Sequence, residues 1–196
     1  MSLPPTESKP RASRWPLVWV AVASFAPFVL AYLTFYFWAP EGRMNYGELI
    51  EPARPLPDTT LILADGQSFR LGTLRGKWVL MLTAPGACDE SCQRALYNMR
   101  QVRRALGKNM DRIERVWLIS DDAPVDPALG RALEGMYFVR AAGSDVLRER
   151  ALAGDRPGHL YLVDPLGNLM LRFPRDADPS GILRDLTRLL RVSRIG

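Results

Sequence analysis

Apolar positions fall into two regimes along this chain. No charged residue lies between Arg14 and Glu41, and the stretch from Trp15 to Trp38 (WPLVWVAVASFAPFVLAYLTFYFW) is apolar almost throughout. A helix of about 24 residues spans roughly 36 Å, enough for a ~30 Å hydrocarbon core with some tilt. Trp15 and Trp19 stand near one end and Tyr36, Phe37 and Trp38 at the other, the arrangement of an aromatic belt. Pro16 falls in the first turn, where it is harmless, and Pro27 predicts a kink. A cleaved signal peptide has a shorter apolar core followed by small residues. This core is longer and ends in bulky aromatics, which favours an uncleaved signal anchor over residues 15–38.

Beyond Pro57 the apolar positions come in short runs broken by turns. TTLILAD, a turn at Asp65-Gly66 and QSFRL read as a β-hairpin. Trp78 to Ala84 is continuously apolar, as in a strand buried on both faces. A helix follows from Asp89 to about Leu106, with an apolar stripe of Cys92, Ala95, Leu96, Met99, Val102 and Leu106. Arg115 to Ser120 reads as a second buried strand. A short helix is expected around Pro127 to Leu133, a strand at Tyr137 to Arg140, and a helix from a Ser144 cap to about Leu152. His159 to Val163, a turn at Asp164 to Gly167 and NLMLRF form another hairpin. The last helix, Ser180 to Arg191, carries Ile182, Leu183, Leu186, Leu189 and Leu190 on one face. A β-hairpin, then βαβ, then an antiparallel hairpin and a closing helix is the plan of an α/β, thioredoxin-like fold. The predicted organisation is a tail (residues 1–14), an anchor (15–38), a Pro-rich linker (39–57) holding Pro40, Pro52, Pro55 and Pro57, and a thioredoxin-like domain (58–196).

Charge adds sidedness. Lys9, Arg11 and Arg14 against Glu7 precede the anchor, so the positive-inside rule places the tail in the cytoplasm. In a bacterial inner membrane the domain then faces the periplasm, where thiols can be oxidised. The net charge is +5, but the cations are interleaved with acids and form no basic run with aromatics, which argues against nucleic acid. With one histidine and two cysteines, a four-ligand Cys/His zinc site and a multi-disulfide framework are both excluded.

Cys88 and Cys92 fall between the end of a buried strand and the start of a helix. A helix N-terminus favours a thiolate, whereas Asp89 and Glu90 oppose one. At a spacing of i and i+4 both sulfurs point to the same side. They can close a disulfide across about 6 Å between Cα atoms, exchange with other thiols, or chelate a soft ion, Cu(I) above all, with Zn(II) as its rival. A metal would need a third ligand, and His159 is the only histidine. A purely structural bridge, of about 2–3 kcal/mol for so short a loop, stays open.

The chain resembles the Sco/SenC family of copper-binding cytochrome oxidase assembly proteins. The resemblance runs from about Pro57 to Phe173, on Asp65-Gly66, LGTLRGKWVLML (Leu71 to Leu82), the CxxxC spacing of Cys88 and Cys92, and Tyr161-Leu162-Val163-Asp164-Pro165-x-Gly167. Asp89 and Gln93 stand where the family has proline after each cysteine. Counting back from Tyr161, the family's histidine position falls near Arg156, three residues before His159. The resemblance implies a thioredoxin-like domain that handles Cu(I) or exchanges disulfides through Cys88 and Cys92, for a respiratory oxidase subunit or another exported thiol protein; His159, the only histidine, is the candidate third metal ligand, three residues beyond the family's position. A general periplasmic thiol–disulfide oxidoreductase and a non-catalytic assembly scaffold are the alternatives.

Overall fold

The computed structural model describes residues 14–37, 45–149, 152 and 158–195. The tail before Arg14, Trp38 at the expected anchor end, Pro40 and the first part of the expected linker lie outside the described residues, as does Arg156. The chain divides after Arg43 into two compact units.

The first unit contains helix α1, Trp15–Phe37, 23 residues with Pro27 inside and none of them buried. It is long and apolar enough to cross a membrane, with a mean hydropathy of 2.0. Its side-chain hydroxyl at Thr34 donates to the Leu30 carbonyl within the helix, so that this polar group is satisfied without water.

The second unit is one mixed sheet of eight strands with helices on its faces. The strands are β1 (Glu48–Pro55), β2 (Thr60–Leu63), β3 (Ser68–Arg70), β4 (Trp78–Ala84), β5 (Ile113–Ile119), β6 (Tyr137–Arg140), β7 (Leu160–Val163) and β8 (Asn168–Phe173), in the order β1-β8-β7-β4-β5-β6-β2-β3. The helices are α2 (Glu90–Ala105), the short α3 (Pro127–Ala132) and α4 (Asp145–Arg148), and α5 (Pro179–Val192). Strands β4, β5 and β6 run parallel, and β7 lies antiparallel to β4 with Leu82 opposite Leu160. This is the thioredoxin-like α/β plan that the element order predicts.

Strand β4 is central because both of its faces are apolar. Trp78, Leu80, Leu82 and Ala84 pack under α2 and α5, while Val79 and Met81 pack in the core on the other face. The predicted stripe of α2 is the buried one, with Cys92, Leu96, Met99 and Val102 inside. Ser144 caps α4 by accepting from the Leu147 amide; beyond Arg148, Leu152 is helical and buried, and residues 150–151 lie outside the described set.

Residues 48–55 differ from the expected linker. They form β1, an edge strand antiparallel to β8, with Glu48 opposite Arg172 and Pro55 opposite Asn168. Pro52 and Pro55 mask the strand signal, and an edge strand tolerates proline because half of its amides face solvent. The register shifts between Leu49 and Arg54, which absorbs Pro52.

The residues leading into β1 are fastened to α5. The Tyr46 ring stacks at 6.4 Å from Phe173 and lies against Gly181, where a Cβ would come within 2.5 Å of it. The Tyr46 hydroxyl accepts from the Asp178 amide at 2.9 Å, and the Gly47 amide donates to Asp185 Oδ2 at 2.8 Å. Asp185 is 1% exposed, a buried carboxylate on a helix face that sequence periodicity assigns to leucines. Its role is to accept an otherwise orphaned backbone donor. Replacing it by alanine is expected to cost about 1–3 kcal/mol, and Asp185→Asn, which keeps the acceptor, less. Urea denaturation followed by tryptophan fluorescence checks this; equal loss in both variants would show that the Gly47 bond contributes little.

Candidate functional site

The cysteine turn begins where β4 runs out of partners. The Ala84 carbonyl accepts from the Ser120 amide at 3.1 Å and from the Trp117 indole at 3.2 Å. The Gly86 amide then donates to Asp121 Oδ1 at 2.7 Å, and the same oxygen accepts from the Ala123 amide at 3.3 Å. Gly86 is required by closeness: a Cβ there would sit 2.3 Å from the Ala123 carbonyl oxygen. On the other side the Gly158 amide donates to the Thr83 carbonyl at 2.9 Å. The end of β4 is therefore held from β5 and its following loop on one flank, and from the segment entering β7 on the other.

The Cys88 amide closes a turn on the Pro85 carbonyl at 3.2 Å, and Cys88 has φ +36°, in the left-handed region. A non-glycine residue there is strained by about 1 kcal/mol, and such strain persists where surrounding bonds over-determine the backbone. The Gln93 side chain supplies one such bond, donating to the Cys88 carbonyl at 3.0 Å. Asp89 follows in extended geometry and caps α2, its Oδ1 accepting from the Cys92 amide at 2.8 Å. Asp89 thus has a structural reason to stand beside the first cysteine: the helix that carries Cys92 needs its carboxylate.

Cys88 and Cys92 are joined in a disulfide with Cα atoms 5.2 Å apart. The residues are 3% and 4% exposed, so exposure does not single out Cys88, the one that its place in the loop predicts to be the more open. Both nevertheless line a cleft of about 400 Å³, together with Ala84, Pro85, Asp89, Gly158 and Arg175. The sulfurs are sheltered from bulk water but border a space that a peptide side chain can enter.

Arg175 and Gly158 escape sequence reasoning. Arg175 lies just past β8, far along the chain from the cysteines, and no local motif marks it. Its guanidinium stands beside Gly158, where a Cβ would come 3.5 Å from Nε. A cation lining the cleft favours a thiolate over a thiol. At the rim, Asp176 accepts from the Ser91 hydroxyl at 3.2 Å and pairs with Arg94 at 3.5 Å.

His159 is half-buried, with Nδ1 at 3.0 Å from the Phe173 carbonyl. That contact fits an Nδ1–H donor and leaves Nε2 as the free lone pair, the tautomer of a metal ligand. His159 follows Gly158 directly, yet it is not among the residues that line the cleft. Among the described residues no three His, Cys, Asp or Glu side chains gather as a metal-binding group. The two sulfurs suit a soft ion once reduced; a third ligand does not stand assembled beside the disulfide.

The family model described as "transmembrane-like, thioredoxin-like, C-terminal domain" matches residues 78–193. Among solved structures, apo Sco1 from Thermus thermophilus superposes with a TM-score of 0.60 at 20% identity, covering 76% of this chain and 99% of that one. ScoI from Bradyrhizobium japonicum with copper bound gives 0.52 at 20% identity, over 69% and 98%. BsSco, a Sco-family cytochrome c oxidase assembly protein with a disulfide switch, gives 0.55 at 16% identity, over 72% and 96%. At these identities the likeness is one of fold. No curated protein matches the chain by sequence.

Two substitutions test how the turn is held. Asp89→Ala is expected to cost about 1 kcal/mol and Asp89→Ser much less, because serine also caps. Gly86→Ala is expected to cost about 1–3 kcal/mol, since the loop around Ala123 must shift. Both are read as denaturation midpoints of the oxidised chain, and a wild-type midpoint in Gly86→Ala would contradict the close packing at Ala123.

Proposed function

Because the chain belongs to the transmembrane-like, thioredoxin-like C-terminal domain family, we propose that it is a membrane-anchored periplasmic thiol protein that assists assembly of a cytochrome c oxidase through Cys88 and Cys92. The observation that carries the reading is the disulfide at a strained strand-to-helix turn, opening on a cleft that Arg175 lines. A bridge needed only for stability gains nothing from a cleft or a neighbouring cation. The fold shared with a copper-bound ScoI and with a Sco-family oxidase assembly protein supports the same reading, and the apolar α1 supports the anchor.

The chemistry follows from the two sulfurs. In the oxidised state a thiolate of an exported protein attacks one sulfur, a mixed disulfide forms, and the other cysteine leaves as a thiolate. A second thiol of that protein then releases it as a disulfide, so two electrons pass to this chain and leave a Cys88/Cys92 dithiol. Arg175 steadies the thiolate; the N-terminus of α2 acts in the same sense and the Asp89 carboxylate in the opposite one. The reduced pair offers two soft donors to Cu(I), the cargo, and His159 Nε2 is the third ligand if the segment before β7 adjusts.

Titration of the reduced full chain with Cu(I) tests the copper branch. One equivalent is expected to bind, binding is expected to vanish in Cys88→Ser and in Cys92→Ser, and His159→Ala is expected to weaken it. Failure of the reduced chain to bind above the double Cys→Ser variant removes that branch. Because no third ligand is assembled beside the sulfurs, plain thiol–disulfide exchange is the second reading. It requires a reduction potential above about −300 mV, measured by equilibration with a thiol buffer, whereas a structural bridge lies below that value. Normal oxidase assembly in cells carrying the double Cys→Ser variant would refute both readings and leave a scaffold.

A further inference from the structure

Helix α5 turns its apolar side inward, with Ile182, Leu186 and Leu190 buried together with its only acid, Asp185. The outward side is cationic: Arg184, Arg188 and Arg191 are exposed, and Arg194 follows just past the helix end. Arg184, Arg188 and Arg191 line, with Leu183, Thr187 and Ser180, a shallow groove of about 450 Å³. Val192 and Ile195, 80% and 54% exposed, stand between and beside the last two arginines. At a bilayer interface such a mixture has a use: the aliphatic groups enter the acyl boundary while the guanidinium groups remain at the phosphates.

The chain length supplies the second observation. Tyr46 and Gly47 are fastened to α5 through Gly181, Asp178 and Asp185. Nine peptide steps separate Phe37, the end of α1, from Tyr46, and they reach about 30 Å at full extension. With α1 across a bilayer, that tether holds the domain to the same membrane and keeps its headgroups at a high effective concentration. We propose that the outward face of α5 docks on anionic phospholipid headgroups, with Arg184, Arg191 and Arg194 at the phosphates and Val192 and Ile195 at the acyl boundary. The proposal rests on the membrane-anchor reading of α1 and is independent of the chemistry at Cys88 and Cys92.

The test uses the full chain in nanodiscs of phosphatidylcholine alone or with phosphatidylglycerol added, and arginine modification by phenylglyoxal read by mass spectrometry. Arg131, exposed on α3, is the internal reference. With anionic lipid, modification of Arg184, Arg191 and Arg194 is expected to slow by about threefold or more relative to Arg131, and the protection is expected to disappear in 0.5 M salt, where screening is short-ranged. In the R184E/R191E chain, which retains the other arginines, protection of Arg194 is expected to be lost. Equal reactivity in the two discs, the result if this face instead meets an acidic protein, overturns the docking. Co-elution of the chain with the discs reports the anchor separately; a chain that leaves them overturns the anchor reading and the docking with it.

Discussion

A strand buried on both faces cannot continue past the last carbonyl to which its neighbours donate, and this constraint places the cysteine pair. Strand β4 is the apolar spine of the sheet, and at Ala84 its carbonyl is already shared between Ser120 and the Trp117 indole. The chain must turn there, and Asp121 and Gly158 hold the turn from either flank. Helix α2 then needs a cap at once, because its first buried residue is Cys92. Asp89 supplies the cap, and the left-handed Cys88 is the conformational cost of reaching it in so few residues. The sulfurs lie side by side because the core dictates where the strand ends and the helix begins.

The same logic runs through the β1 edge of the sheet. Helix α5 covers the sheet, and its buried Asp185 and its small Gly181 admit the segment leading into β1. Tyr46 and Gly47, which lead into β1, are thereby integrated into the domain through α5. The Pro-rich composition that reads as a spacer is compatible with a strand only because β1 is an edge, with one partner and a register shift to accommodate Pro52.

Much of the fold was legible along the chain. The apolar run of Trp78 to Ala84, the spacing of Leu96, Met99 and Val102, and the Asp164-Pro165-Leu166-Gly167 turn each carry a local signal, and each sits where that signal places it. The cysteine pair was equally legible, because position at a strand-to-helix junction is a local property. Arg175 and Gly158 were not, since only the packing of the segment before β7 and the loop after β8 brings them to the cleft. The burial of Asp185 carries no local signal either, because its partner is the Gly47 amide, far away in sequence.

Local order in the sequence determined which segments are strand and helix, that an uncharged span precedes the domain, and that two sulfurs meet at a helix tip, because each depends on neighbours within a few residues. Tertiary structure alone decided that residues 48–55 join the sheet, that the disulfide is sheltered yet borders a cleft, that Arg175 stands at that cleft, and that His159 uses Nδ1 on Phe173 rather than lining it. Those outcomes depend on which distant backbone donors and acceptors are left over when the strands have paired, and no short window of residues contains that count.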